Sequence, residues 1–163
     1  MNKYVAHVYV ILEDDADRQI AVGFVGHHHV KHPRIQVMPV AGGWTHVLST
    51  IRDEYIQKLR SNFKAHVVML IDFDGAVEDR RKAFETEISL EIQPRVFVVG
   101  SKHTPESLRS AFNKSFERIG ESLADDCVAG TSAFWEHEQL IHNNVERERL
   151  IQAVGPFLLD RSN

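Results

Sequence analysis

Four short runs of β-branched, aromatic and aliphatic residues punctuate this chain: residues 4–12 (YVAHVYVIL), 35–40 (IQVMPV), 66–71 (HVVMLI) and 95–99 (RVFVV). The first, second and fourth are followed by stretches whose apolar residues recur at helical spacing, and the third by the charged stretch 77–88. No other feature restricts the fold as much. Runs of this length with so few polar interruptions fit strands buried on both faces, as parallel strands are. Parallel neighbours cannot be joined by a tight turn and need a crossover, usually a helix. The alternation therefore predicts βαβαβαβα, with a central, mainly parallel sheet of about four strands and helices on both sides.

That order corresponds to a Rossmann-like three-layer α/β domain with further helices at the C-terminal end. Ala16, Ile20 and Phe24 mark the first helix, and Val47, Leu48, Ile51, Tyr55, Ile56, Leu59 and Phe63 give the second its stripe. The charged stretch 77–88 predicts a mostly exposed helix. Thr104 and Pro105 suit an N-cap and first helical position, and Leu108, Ala111, Phe112, Phe116 and Ile119 face the core up to a stop at Gly120. Residues 134–159 predict one or two helices, the second interrupted at Gly155-Pro156. The length of 163 residues fits one domain, with a core over residues 4–120 and a helical part over 121–163.

Composition narrows the function classes. The 43% hydrophobic and 26% charged fractions are ordinary for a water-soluble domain, and the net charge of −4 offers no global basic field for coating nucleic acid. One cysteine, Cys127, excludes a disulfide within the chain and a cysteine-rich zinc site. No apolar run approaches the roughly 18 residues of a membrane span, and the N-terminus leads straight into a strand-like pattern. A cytoplasmic protein without membrane contact is expected.

In open α/β sheets the functional crevice lies outside the carboxyl ends of the strands. Two of those ends are acidic here: Glu13-Asp14-Asp15 after the first strand and Asp72-Phe73-Asp74 after the third. Carboxylates brought together repel one another, and a hard divalent cation such as Mg²⁺ or Mn²⁺ resolves the repulsion. In an extended Asp-x-Asp both carboxylates point to one face, with Phe73 on the other. Glu13, Asp72 and Asp74 are therefore expected to converge on one metal ion.

The opening VILEDDAD (residues 10–17), taken with Asp72-Phe73-Asp74, resembles the motifs of Toprim domains. That family includes topoisomerases, bacterial primases, recombination-repair proteins and overcoming-lysogenization-defect nucleases. The resemblance spans about residues 4–100. It places the family's catalytic Glu on Glu13, its Asp pair on Asp72 and Asp74, and the later acidic residue of the first motif on Asp17. The family's Arg falls on Arg81, with Arg80 one place off, and its glycine turn on Gly42-Gly43. The chain departs from the pattern at Asp14, which stands where the family has glycine, and the downstream glycine is displaced to Gly75.

The resemblance implies Mg²⁺-dependent phosphoryl transfer on nucleic acid, DNA foremost, with nuclease the best-fitting activity. No Tyr is placed as a topoisomerase nucleophile, and no zinc or helicase segment exists for a primase. It leaves room for a partner protein such as an ATPase and for a homo-oligomer. Lys102, after the fourth strand, and Arg80 are expected near phosphate, and Glu138 is a candidate ligand for a second metal. A receiver-like phosphoacceptor domain with Asp72 as acceptor, or a non-catalytic interaction subunit on the same fold, are the alternatives. His27-His28-His29 with His32 read as a loop with no local carboxylate to complete a metal site. The run Glu146-Arg147-Glu148-Arg149 reads as a solvated, salt-laced helix face.

Overall fold

The computed structural model describes residues 1–161. Its strands β1 (His7–Leu12), β2 (Ile35–Val37), β3 (Ala65–Leu70) and β4 (Val96–Val99) form one parallel sheet in the order β2-β1-β3-β4. The chain thus starts in the middle, steps outward to β2, and returns past β1 to build β3 and β4. The order reverses between β1 and β3, which opens a crevice at their carboxyl ends.

Alternation along each strand divides the core in two. Val8, Val10 and Leu12 face one side with Phe97, while Tyr9, Ile11, Val67 and Met69 face the other. The first side is covered by α1 (Asp15–Val25), α5 (Pro105–Phe112), α6 (Phe116–Ala129) and α7 (Asn144–Leu158). The second is covered by α2 (Trp44–Thr50), α3 (Ile56–Ser61) and α4 (Val77–Glu87). The domain is a Rossmann-like three-layer α/β fold, as its pattern of runs predicts. Among the described residues no helix is long and apolar enough to cross a membrane.

Several elements differ in detail from their sequence pattern. The helix expected over 47–63 is α2 and α3 joined by a π-helical turn, Ile51–Tyr55. Val47, Ile51, Tyr55 and Leu59 are all buried, at strict spacings of four. In a regular α-helix such a stripe drifts by about 40° per step. The wider π turn takes up that drift and keeps the four residues against the sheet. Phe63 lies past the end of α3 and is exposed.

Gly120 does not stop a helix. The break comes earlier, at Asn113 in left-handed conformation (φ 51°), and α6 restarts with Ser115 as its N-cap. Gly120 lies inside α6 because α1 crosses there at backbone contact: a Cβ on Gly120 would fall 1.9 Å from the Ile20 carbonyl oxygen. A Cβ on Gly23 would likewise fall 1.9 Å from that of Glu117. Residues 133–140 form turns rather than helix, and α7 runs through Gly155 and Pro156 to Leu158. Pro156 is tolerated in the last turn, where it forfeits one backbone hydrogen bond.

The outer edge of β4 is closed by side chains. Glu146 Oε2 accepts the Val98 N–H at 3.0 Å, and Arg149 donates to the carbonyls of Val96 and Gln93. Arg81 donates to the Val98 carbonyl at 2.8 Å, and Asn143 Oδ1 accepts the Gly100 N–H at 3.2 Å. The helix face expected to be solvated therefore takes the place of a fifth strand, because an uncovered edge is a template for pairing with other chains. Glu146→Ala is expected to cost about 1–3 kcal/mol through the orphaned Val98 N–H and the unpaired Arg149. Urea midpoints measure that cost. Size-exclusion chromatography should also show concentration-dependent association absent from the parent chain.

Candidate metal centre

Glu13 is the first residue after β1. Its N–H donates to the Leu70 carbonyl at 3.1 Å, and its own carbonyl accepts the N–H groups of Gly42 and Gly43 at 2.9 and 3.1 Å. Those glycines sit at φ 93° and 139°, backbone geometry that side chains rarely adopt. The glycine turn after β2 thus pins the backbone of Glu13 from one side while β3 pins it from the other. Across the crevice, the Asp72 N–H donates to Glu13 Oε2 at 2.7 Å. Asp14 caps α1, its side chain accepting from the Asp17 N–H at 3.0 Å, and so delivers Asp17 into the same crevice.

One oxygen each from Glu13, Asp17 and Asp72 lie within 4.8 Å of one another. Asp17 is 1% exposed and Asp72 6%, and Asp17 Oδ2 and Asp72 Oδ1 are buried without a hydrogen-bond partner. Burial, followed by the charges of Asp14 and Glu13, pushes the Asp72 carboxyl up to about 8. Burial pushes Asp17 well above the usual carboxylate range, with Asp72 and Asp14 adding to it. Burial also raises Glu13, against the opposing hydrogen bond from Asp72. Without a cation such a cluster must hold protons. Opposed oxygens on Mg²⁺ stand about 4.2 Å apart, so these three reach an octahedral ion with small side-chain adjustments. The residues present fit a divalent metal.

Asp74 stands beside this group rather than within it. Its φ of 48° turns the chain, so the Asp-x-Asp is not extended and its two carboxylates part. The turn is held by the Asp74 and Gly75 N–H groups donating to the carbonyls of His103 and Lys102. Asp74 Oδ2 accepts Arg80 Nη1 at 2.7 Å, although its charge still reaches Glu13 and raises it. Phe73 is fully buried on the opposite side.

The arginines exchange the places expected of them. Arg80 faces the carboxylates: besides Asp74 it donates to the Asp72 carbonyl, and its guanidinium lies 4.5 Å from the Trp44 ring centroid. Arg81, one residue on, points away. It donates to Val98 and to the His142 carbonyl, lies 3.6 Å from Glu146, and stacks on Phe73 at 5.0 Å. Arg81 is a brace between α4, β4 and α7.

The remaining residues lie farther out. Lys102 and Glu138 are exposed, Lys102 on the rim through its backbone contacts with Gly75 and Gln139, Glu138 in the 133–140 turns. Glu138 and His142, whose spacing of four predicts neighbours on one helix face, do not share one. His142 lies in a short 3₁₀ turn behind Phe73, where its Nε2 donates to the Gly100 carbonyl at 2.8 Å and burial lowers its pKa to about 4. Among the histidines of the 27–32 loop, His27 Nε2 meets Asp125 Oδ1 of α6 at 2.6 Å, a carboxylate remote in sequence. Its ring stacks on His28 at 4.7 Å. Among the described residues no histidine joins a metal-holding group. Cys127 is buried, its thiol pushed up to about 12, and is not poised to react.

Two contributors went unassigned in the sequence. Asp14 acts on Asp72 through its charge and on Asp17 through its cap. Gln139 fixes the β4–α5 loop by accepting the N–H groups of Lys102 and His103. The cap position of Asp14 is legible before a helix; nothing in the spacing marks Gln139.

The raised carboxyls carry a stability consequence with a definite sign. The folded chain holds the Asp72 proton up to about 8, whereas an unfolded chain releases it near 3.8. Stabilisation from these protons is complete below the ordinary carboxylate range and is lost as pH rises through about 8. In EDTA the thermal midpoint should therefore fall by about 5 °C between mildly acidic and mildly alkaline buffer. Saturating Mg²⁺ or Mn²⁺ should flatten the slope by replacing the protons. A metal-free profile without slope would remove this account.

Comparison with protein-family models, with curated proteins and with solved structures finds no match to this chain.

Proposed function

We propose that this chain is a Mg²⁺- or Mn²⁺-dependent phosphoryl-transfer enzyme acting on nucleic acid, a nuclease or nuclease subunit of Toprim type. One observation carries the reading. Three acids from two strand ends and a capped helix meet at the switch point of the sheet, with two buried oxygens left unpartnered. The resemblance of residues 10–17 and 72–74 to the Toprim motifs supplies the reaction class. Glu13, Asp17 and Asp72 would hold the ion, which supplies charge neutralisation at a phosphate and a lowered pKa for a coordinated water.

The chain's own residues divide the remaining work. Asp14 orients Asp17, and the Gly42-Gly43 turn fixes Glu13. Arg80 contacts Asp74 and the Asp72 carbonyl, Lys102 stands on the same rim after β4, and Arg80 would exchange its Asp74 partner for a phosphate oxygen. Asp74, once released, would be available as a further carboxylate. Phosphate recognition through the ion is compatible with an acidic protein, since the ion supplies the positive charge. A partner such as an ATPase, or self-association, belongs to the same proposal.

The test is incubation of labelled single- and double-stranded DNA and RNA with the chain in EDTA, Mg²⁺ or Mn²⁺. Cleavage should require metal and disappear in Glu13→Gln. Tight metal binding without cleavage of any of these substrates would favour the interaction subunit. A labelled acyl phosphate on Asp72 after incubation with acetyl phosphate would instead favour the receiver.

A further inference from the structure

Tyr4 and Phe63 are 86% and 83% exposed, whereas every other Phe, Tyr and Trp among the described residues is buried or half-buried. Single exposed apolar residues are ordinary, but these two come from segments distant in sequence and line one groove of about 750 Å³. The groove is preformed. Asn62 Nδ2 donates to the Lys3 carbonyl at 3.1 Å and Lys64 Nζ to the Tyr4 carbonyl at 2.7 Å, which ties the N-terminal segment to the turn between α3 and β3. The charged side chains at the groove are all basic: Lys3 and Lys64 line it, and the Arg95 guanidinium lies 5.9 Å from the Phe63 ring centroid. None of the three forms an ion pair among the described residues, and Glu91, which reaches the end of α3, is held by Arg60 at 3.2 Å.

Three cations together without an acid, in a chain of net charge −4, are complementary to a polyanion. The two rings narrow its class. Aromatic faces that take unpaired bases, flanked by cations that follow the phosphates, hold a single strand without sequence preference. A duplex keeps its base faces covered by stacking, and a lipid surface calls for a protruding apolar face rather than a groove. An acidic peptide would satisfy the cations and leave the rings without flat partners. We propose that the groove of Lys3, Tyr4, Phe63 and Lys64, with Arg95 beside it, binds single-stranded nucleic acid, bases on the rings and phosphates on the cations. Lys64 precedes β3 and Asp72 follows it, so the length of a strand, about 20 Å, separates the groove from the metal centre. Binding in the groove needs no ion, and the proposal does not rest on the reading of the metal centre.

The probe is a fluorescein-labelled oligo(dT) of about 10 nucleotides, titrated with the full chain in EDTA and followed by anisotropy. Binding should saturate, and with three cations on phosphates log K should fall against log salt with a slope of about −2. Phe63→Ala and Tyr4→Ala should each weaken it about tenfold or more, and Phe63→Trp should keep it. Both rings are exposed, so the thermal midpoints of these variants should stay near the parent's and their Mn²⁺ affinity should match it. A duplex of the same length and poly-glutamate should each compete at least about tenfold less well than unlabelled oligo(dT). No saturable binding, equal competition by the duplex or by poly-glutamate, or full affinity in both alanine variants would overturn the proposal. Cleavage in Mg²⁺ or Mn²⁺ tests the metal centre separately: binding in EDTA without cleavage sustains the groove and not the enzyme, and the reverse result sustains the enzyme alone.

Discussion

Gly100→Ala is expected to destabilise the protein by more than about 4 kcal/mol and to leave little of it folded. Gly100 follows β4, and a Cβ built on it would lie 1.6 Å from the Ile71 carbonyl oxygen and 2.8 Å from the carbonyl carbon. Both atoms belong to backbone on the adjacent strand, so no side chain can swing aside to relieve the overlap. The Ile71 N–H donates to the Val99 carbonyl, which fixes the spacing of β3 and β4 at this point. Gly100 also exchanges hydrogen bonds with Asn143 and gives its carbonyl to His142. Any shift would therefore spread into the wall behind Asp72. Gly130→Ala is the control. Gly130 ends α6 with nothing within 4 Å of the added carbon and a φ of 73°, so only the left-handed backbone penalty of about 1–2 kcal/mol applies. Chemical denaturation of both variants, compared with the parent, gives the contrast. Similar losses at the two positions would refute the steric account.

Asp72→Asn should weaken Mn²⁺ binding by at least about a hundredfold, since even residues that only support a ligand are worth up to that much. It should also stabilise the metal-free protein in alkaline buffer. Asp72 is embedded among like charges, and the amide keeps its shape without the repulsion from Asp14 and Glu13. Weaker metal binding together with a higher metal-free midpoint is the signature of a charge cluster held for a cation. A purely structural Asp72 would lose stability on the same change. Asp74→Asn should alter metal affinity by less than about tenfold, because its oxygen faces Arg80 rather than the cluster. Calorimetric titration with Mn²⁺ and melting curves in EDTA measure both quantities. If Asp74→Asn proved the more damaging of the two, the grouping of Glu13, Asp17 and Asp72 would be the wrong one.

The pairing of Arg80 with Asp74 shows where sequence spacing runs out. Adjacent residues on a helix point about 100° apart, and α4 has too few apolar residues for periodicity to say which arginine faces the crevice. Phe84, buried against the sheet, and the hydrogen bonds of Arg81 to Val98 and His142 settle that orientation. Asp74 is similar. An extended Asp-x-Asp would have aimed both acids together, but hydrogen bonds from the 74–75 turn to the β4–α5 loop bend the chain between them. Gly120 reads as a helix stop in isolation, and only the crossing of α1 shows that it makes room for backbone.

Local sequence accounts for the alternation of strands and helices, the parallel sheet, and the arrival of acidic residues at two strand ends. These follow from local chemistry: β-branched runs, helical periodicity, and the side on which a strand hands over to its loop. The tertiary structure decided which acids meet. Strand order β2-β1-β3-β4 makes β1 and β3 neighbours, the Asp14 cap brings Asp17 between them, and the bent turn sends Asp74 to Arg80. It also converted a charged helix face into the cover of β4. The contact of Glu13 with Asp72 spans 59 positions and that of Glu146 with Val98 spans 48, and no window of local sequence contains both partners of either.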